Sequence, residues 1–230
     1  MGYESPMPVQ EEVIPFLLGD DNDVIALAQT GTGKTAAFGL PILQKIDVTT
    51  YHPQALVLCP TRELCLQIAD DLNDYSKYID NLKVLPVYGG SSIESQIKTL
   101  KRGVHVVAAT PWRRLALMNR KTVDLSLVKN VIMDEADEML NMGFTDSINA
   151  ILAEVPENRN MLLFSATMPK EIANITKKYM KNPKEIVIGN KNEGNKNIRD
   201  IYYMVQARDK YLALKRIADF YPNIYGIVFC

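Results

Sequence analysis

Two short stretches of the chain combine residue types that bind phosphate and activate water. Residues 28–35 read Ala-Gln-Thr-Gly-Thr-Gly-Lys-Thr, and residues 134–137 read Asp-Glu-Ala-Asp. Gly31 and Gly33 allow the backbone to turn N–H groups toward phosphate, and a helix beginning near Gly33 adds its positive end. Lys34 can bridge the β- and γ-phosphates, and the Thr35 hydroxyl can hold Mg²⁺. The stretch predicts a nucleoside triphosphate site formed by Gln29, Thr30, Gly31, Thr32, Gly33, Lys34 and Thr35.

The first stretch departs from the strict phosphate-binding motif at one position. That motif, Gly-x-x-x-x-Gly-Lys-Thr, begins with glycine, and here Ala28 takes its place. The simplest alternative is a glycine turn that merely ends a strand. Gly-Thr-Gly-Lys-Thr directly after an apolar strand is highly specific, however, and the substitution at residue 28 points toward the helicase-type variants of the motif.

The acidic stretch follows an apolar run, Val131-Ile132-Met133, directly. Two carboxylates at the end of a buried strand can serve a metal and a water molecule. Asp134 would hold Mg²⁺, partly through water, and Glu135 would orient and deprotonate the attacking water. The alternative is a solvated acidic helix start. It is disfavoured because a phosphate-binding loop is predicted on the same sheet. The predicted catalytic residues are therefore Lys34, Asp134 and Glu135.

Short apolar runs alternate with longer amphipathic segments along the chain. The runs predict strands at 24–28, 55–59, 84–88, 105–109, 128–133 and 161–164. The segments between them predict helices at 34–46, 63–77, 93–100, 112–118, 145–153 and 170–180. This alternation is typical of the α/β class: a doubly wound parallel sheet with helices on both faces. Ligands in such sheets bind at the carboxyl ends of the strands, where every motif described here falls.

The composition changes after Ile188. Residues 189–197 are rich in Gly, Asn and Lys and have no periodicity, which favours a flexible linker over a long surface loop. Beyond it we predict a strand at 201–205, a helix at 209–220 and a strand at 225–229. The expected organisation is a first domain over 1–188, a linker over 189–200, and the start of a truncated second domain over 201–230.

The amino-acid composition limits which binding partners and which cellular compartment are expected. The net charge is −1, so a nucleic-acid surface has to be a local basic patch; charge alone slightly favours an enzyme with no polyanionic partner. Cys59, Cys65 and Cys230 have no metal-ligand spacing and indicate reduced thiols in the cytoplasm. No apolar run approaches the ~20 residues that span a bilayer, and residues 1–4 lack the features of a signal peptide.

Further motifs occur in a fixed order around these two stretches, and together they resemble the DEAD-box ATP-dependent RNA helicases, whose name residues 134–137 spell. Residues 2–10 resemble the adenine-reading Q motif, 60–64 motif Ia, 89–90 the GG element, 110–111 the opening of motif Ib, 165–167 motif III, and 227–230 the opening of motif IV. The resemblance covers nearly the whole chain. It implies a RecA-like fold of the P-loop NTPase type, with ATP and Mg²⁺ as cofactors.

The resemblance also assigns residue roles. Gln10, whose amide can both donate and accept, would read adenine; in isolation it would be a solvent-facing residue at a helix start. RNA would be held through its backbone, independently of sequence, by Pro60, Thr61, Arg62, Gly89, Gly90, Thr110 and Arg113. Without the resemblance, Arg62 could equally form a surface salt bridge, and Gly89-Gly90 could be a flexible turn.

Motif III would link hydrolysis to strand separation through Ser165 and Thr167. Their hydroxyls are expected to bond the carboxylates of Asp134 and Glu135; the alternative is a cap for the helix that starts near Pro169, and the two roles are compatible. Asp137 is expected to have a structural or coupling role rather than to bind metal.

One residue departs from motif Ib, which reads Thr-Pro-Gly-Arg in the family. Trp112, the only tryptophan, stands in place of the glycine. We rank its burial against the sheet first, stacking on a base second, and obstruction of the RNA path as a further possibility.

The expected activity is ATP-dependent local unwinding of RNA duplexes. The arginine finger and a second RecA-like domain would lie in cis beyond Cys230, so residues 1–230 alone should hydrolyse ATP very slowly. Two alternatives remain at this stage, an ATP-gated RNA clamp and a DNA translocase of the same superfamily.

Overall fold

A parallel β-sheet of seven strands forms the centre of the protein. The computed structural model describes residues 4–19, 22–111, 113, 124–189 and 201–228. The strands are β1 (Val24–Leu27), β2 (Ala55–Leu58), β3 (Val84–Val87), β4 (Val106–Ala109), β5 (Asn130–Met133), β6 (Asn160–Ser165) and β7 (Lys184–Val187). Their order across the sheet is β3-β4-β2-β5-β6-β1-β7, and every pairing is parallel. The predicted fold class is confirmed.

Helices follow the strands as the sequence predicts. They are α1 (Pro8–Leu18), α2 (Lys34–Gln44), α3 (Arg62–Ser76), α4 (Ile93–Lys101), α5 (Ala136–Asn141), α6 (Thr145–Glu154), α7 (Lys170–Tyr179) and α8 (Lys210–Phe220). The sequence analysis did not assign α1 or α5 as elements. The helix predicted over 112–118 lies outside the described residues, except for Arg113.

The sheet is buried on both faces because neighbouring residues of each strand enter different cores. In β1, Ile25 and Leu27 pack in one core and Val24 and Ala26 in the other. Helices α4 to α7 cover the first face and α1 to α3 cover the second. Strands covered on both faces are continuously apolar, which explains why the central strands could be recognised from sequence.

Strand β7 was not predicted. It pairs with β1 at the edge of the sheet, and of its four residues only Ile186 is buried. Lys184 and Glu185 face outward, which is typical of an edge strand but removes the apolar run that marks a central one.

The residues after the linker form a unit of their own. The structure divides into Met1–Glu193 and Gly194–Cys230, and in the second unit α8 follows a short 3₁₀ turn at Ala207–Asp209. The strand prediction at 201–205 is wrong, since residues 201–206 have no regular structure, and 225–228 have none either. A strand requires a neighbour for its backbone hydrogen bonds, and the described residues supply none here. The boundaries 1–188, 189–200 and 201–230 stay a prediction.

No helix in the described ranges is both long enough and apolar enough to cross a membrane.

Candidate nucleotide and nucleic-acid site

The predicted site residues lie along one edge of the sheet, at the carboxyl ends of the strands. The motifs predicted to bind nucleotide follow β1, β5 and β6, which are adjacent, and the motifs predicted to bind RNA, called the RNA group below, follow β2, β3 and β4, which are also adjacent. The two groups meet where β2 pairs with β5, and the Asp134 N–H donates to the Leu58 carbonyl at 2.9 Å. A single edge therefore carries both groups, as the strand-end rule predicts.

The predicted phosphate loop between β1 and α2 has a backbone conformation that requires glycine at two positions. Gly31 and Gly33 have φ of 79° and 81°, in the left-handed region that favours glycine. The Thr32 hydroxyl donates to the Gln29 carbonyl at 2.7 Å and folds the loop on itself. Lys34 is buried, and its Nζ donates to the Ala28 carbonyl at 3.1 Å. The loop thus places a buried ammonium group at the start of a helix, an arrangement that suits a polyphosphate.

Gln10 is a buried support of this loop rather than a solvent-facing residue. It lies on α1 and is 6% exposed. Its Oε1 accepts from the Met7 N–H at 2.9 Å, and its Nε2 donates to the Gly33 carbonyl at 3.1 Å. A Cβ at Gly33 would collide with the Gln10 amide and the Met7 sulfur, so glycine is needed here for space as well as for φ. The adenine-reading role of Gln10 stays a prediction.

Asp134 is a buried carboxylate. It is 2% exposed, and burial raises its pKa to about 6, although the Lys34 ammonium acts in the opposite direction. Glu135 follows with φ 50° and ψ 51°, a left-handed conformation that is strained for a residue with a side chain. The Glu135 N–H donates to Asp134 Oδ1 at 3.0 Å. This tight turn directs the chain from β5 into α5 and leaves the Glu135 side chain partly exposed at the strand end.

The oxygen donors at this edge fit Mg²⁺ bound together with a nucleotide. Asp134 supplies a carboxylate, and Thr35 supplies a hydroxyl in the first turn of α2. Within the described ranges, no group of three or more His, Cys, Asp or Glu side chains could hold a metal. Mg²⁺ commonly takes one or two protein ligands and completes its shell with water and phosphate, which matches this sparse donor set.

Ser165 and Thr167 contact Asp137, not the two residues that were predicted. The Thr167 N–H and hydroxyl donate to Asp137 Oδ2 at 3.0 and 2.8 Å, and the Asp137 N–H donates to Ser165 Oγ at 3.3 Å. The expected bonds to Asp134 and Glu135 are therefore wrong for this structure. The reason is that α5 turns residue 137 toward the end of β6. The alternative cap of α7 is also wrong, because its N-terminus has no side-chain cap bond.

Arg62 and the glycine pair of the RNA group form one cluster. Thr61 caps α3 by accepting from the Leu64 N–H at 3.2 Å, which places Arg62 in the first turn. The Arg62 guanidinium lies 5.0 Å from the ring centroid of Tyr88. Gly90 has φ 83°, and a Cβ there would lie 3.3 Å from Arg62 Nη1. No acid in the described parts of the chain forms an ion pair with Arg62, so the surface salt bridge is not the observed arrangement.

Motif Ib joins the same cluster from β4. Thr110 is buried, and its N–H donates to the Val87 carbonyl at 3.1 Å. Arg113 Nη2 donates to the Ser91 carbonyl at 2.8 Å. Trp112 lies outside the described residues, so its burial or stacking stays a prediction. Pro60 precedes α3 at the end of β2 and is buried.

Sequence reasoning missed Tyr88, the ring on which Arg62 stacks. An aromatic residue directly before Gly89-Gly90 was the available signal. Its partner was not evident, because Arg62 is 26 positions away in a different strand–helix unit.

The fold and the site define this protein as a P-loop nucleotide-binding domain of the RecA-like type. Comparison with known families gives the particular assignment. The chain belongs to the DEAD/DEAH box helicase family, whose sequence profile matches residues 7–175.

Curated relatives match the chain from end to end. It is 48% identical over 229 residues to the ATP-dependent RNA helicase DeaD of Mycobacterium tuberculosis, covering 100% of this chain and 40% of that protein. It is 45% identical over 229 residues to the DEAD-box ATP-dependent RNA helicase CshA of Bacillus cereus, covering 100% of this chain and 43% of that protein. The chain therefore spans well under half the length of these relatives.

Solved structures agree with this assignment. A DEAD box protein from the hyperthermophile Methanococcus jannaschii superposes with a TM-score of 0.78 at 42% identity, covering 100% of this chain and 61% of that one. A hypothetical ATP-dependent RNA helicase from Sulfolobus tokodaii superposes with a TM-score of 0.74 at 42% identity, covering 82% of this chain and 54% of that one.

Proposed function

We propose that the chain is the ATP-binding part of an ATP-dependent RNA helicase, in which ATP hydrolysis drives local unwinding of RNA duplexes. The observation that carries the proposal is the shared sheet edge. A phosphate loop and a buried carboxylate follow β1 and β5, and a basic, glycine-containing cluster follows the adjacent strands β2, β3 and β4. Relatives named as RNA helicases support the same conclusion.

At the nucleotide half, each residue has a distinct task. Lys34 and the backbone N–H groups of residues 31–35 bind the phosphates. Gln10 supports the loop through its bond to the Gly33 carbonyl and, as the family resemblance implies, reads the adenine base. Glu135, partly exposed at the strand end, orients the attacking water and accepts its proton. Thr35 and Asp134 would hold Mg²⁺, which neutralises charge on the phosphates when it is bound.

At the RNA half, the proposed contacts are sequence-independent. The start of α3 presents N–H groups and the Arg62 guanidinium, which suit phosphate. Gly89 and Gly90 are exposed and carry no side chain, so a sugar–phosphate backbone can approach closely. Thr110 and Arg113 complete the set from β4. Such contacts bind RNA through phosphates and 2′-hydroxyls rather than through base edges.

We further propose that a second RecA-like domain lies in cis beyond Cys230, since the relatives are more than twice as long as the aligned region. That domain would supply an arginine finger, a group that contributes about 10³ to 10⁵ in rate. Residues 1–230 alone should therefore bind ADP and ATP but hydrolyse ATP very slowly. Robust RNA-stimulated ATP hydrolysis by this chain alone would contradict the proposal that a second domain supplies the arginine finger.

We place the protein in the cytoplasm, a location supported by the buried free thiols of Cys59 and Cys65.

The deciding experiment measures ATP hydrolysis and duplex unwinding by the whole protein, with RNA and DNA compared as stimulants. We expect stimulation by RNA and its loss in Glu135→Gln. Equal stimulation by DNA would favour a DNA translocase. A Glu135→Gln variant that keeps the full biological activity would favour an RNA clamp that uses ATP binding alone.

A further inference from the structure

Gln96 is a buried amide beneath the proposed RNA surface. It lies on α4 and is 5% exposed. Its Nε2 donates to the Tyr88 carbonyl at 3.2 Å and to Ser91 Oγ at 3.3 Å. These two acceptors lie on either side of Gly89-Gly90. A single side chain therefore holds both ends of the short loop that follows the edge strand β3.

The other end of the same amide indicates that its role is not merely to fill space. Gln96 Oε1 is buried and has no hydrogen-bond partner among the described residues. A buried acceptor without a partner is unfavourable, and an apolar side chain of similar size would pack without that cost. The donor half of the amide, which holds the loop, is the part that glutamine contributes and an apolar residue could not.

The loop that Gln96 holds is contacted by two arginines of the proposed RNA surface. Arg62 of α3 stacks on Tyr88 at one end of the loop. Arg113, after β4, donates to the Ser91 carbonyl at the other end. A shift of residues 88–91 would thus move two guanidinium groups and the exposed glycine pair together.

We propose that Gln96 is a positioning residue for RNA binding. It makes no contact with RNA, and it fixes the loop 88–91 so that the glycine backbone and the two arginines present one surface. The proposal rests on the proposed function, because it needs the RNA group to bind RNA.

The test compares two buried glutamines. Gln96→Met removes the donor at near-constant volume. Gln54→Met is the matched control. Gln54 is 3% exposed, and its Nε2 donates to the Asp47 and Thr50 carbonyls at 2.7 and 3.3 Å. It precedes β2 and therefore lies at the amino ends of the strands, on the side of the sheet opposite the loop 88–91. For the whole protein, one measures the affinity for a fluorescent single-stranded RNA, the affinity for labelled ADP, and the urea midpoint.

We expect Gln96→Met to weaken RNA binding by about tenfold, the effect of losing one or two positioned hydrogen bonds, with ADP affinity unchanged. Gln54→Met should leave both affinities unchanged. Ser91→Ala, which removes one of the two acceptors, should weaken RNA binding less than Gln96→Met and should add little to it, because the two act through one contact.

Each outcome decides. If the wild-type protein does not bind RNA, the proposed function fails. If the wild type binds RNA and Gln96→Met binds it equally well, the positioning role fails while the proposed function stands. If both glutamine variants lose RNA affinity in step with stability, Gln96 is only structural. Should Gln96→Met not fold, Ser91→Ala decides alone, and unchanged RNA affinity would overturn the inference.

Discussion

Replacing Asp134 with asparagine should stabilise the nucleotide-free protein, although it removes a group that the proposed reaction needs. Burial raises the pKa of Asp134 from 3.8 to about 6 despite the opposing Lys34 ammonium. At about 1.4 kcal/mol per pKa unit, ionising this side chain costs about 3 kcal/mol of the free energy of unfolding at neutral pH. Asparagine carries no charge and keeps an oxygen for the Glu135 N–H. We expect a gain of about 2 to 3 kcal/mol.

The gain should depend on pH in a defined direction. The pKa of Asp134 is higher in the folded state than in the unfolded state, so the folded state binds the proton more tightly. Below the unfolded value of 3.8 both states are protonated and the penalty is absent. The penalty grows as the pH rises from there to about 6, and above that it is constant. The difference between variant and wild type should follow the same course.

Urea unfolding followed by circular dichroism from pH 4 to 8, with a chelator and without nucleotide, measures the difference. Glu138→Gln is the matched control, because it removes a nearby carboxylate of α5 that is exposed. An asparagine variant no more stable than the wild type at pH 8, or a gain that does not shrink toward pH 4, would refute the reasoning.

Three further substitutions test other parts of the site. Lys34→Met should weaken binding of labelled ADP by at least about 100-fold through loss of charge-assisted bonds to phosphate, with Lys45→Met as the control; a smaller effect than in the control would contradict the loop assignment. Asp137→Ala and Thr167→Ala, combined in a double-mutant cycle of unfolding free energies, should show a coupling of about 1 kcal/mol, and additive effects would mean the contact does not hold α5 to β6. Arg62→Ala should weaken RNA binding about fivefold or more and lower the salt slope by about 1 without affecting ADP, whereas an unchanged slope would remove Arg62 from the phosphate contacts.

The central strands could be predicted because the burial of each strand is evident from its own few residues. Strands β1, β2 and β5 are buried on both faces, so their sequences are continuously apolar. Strand β7 was not predicted because an edge strand needs few apolar residues. It is a strand because it pairs with β1. The apolar run at 201–205 misled for the complementary reason: it has strand-like residues and, in the described part of the chain, no strand beside it.

The candidate site was predictable in its residues but not in its contacts. Motif spacing predicted that Lys34 follows a loop after β1 and that Asp134 lies at the end of β5, because a loop and a strand end are local features. It did not identify which carboxylate Thr167 would bond, since Asp137 is 30 positions away and is turned toward it by the left-handed backbone at Glu135. Pairings of this kind depend on how separate strand ends are aligned, which only the assembled sheet determines.

The hydrogen bond between the Asp134 N–H and the Leu58 carbonyl has a mechanical consequence. It ties together the two strands, β5 and β2, on which the nucleotide half and the RNA half are mounted, and a paired parallel ladder does not stretch. The sheet therefore fixes the spacing between the proposed nucleotide site and the proposed RNA site. Under the proposed function, unwinding would not come from a change in that spacing. It would come from the movement of a second domain relative to this sheet.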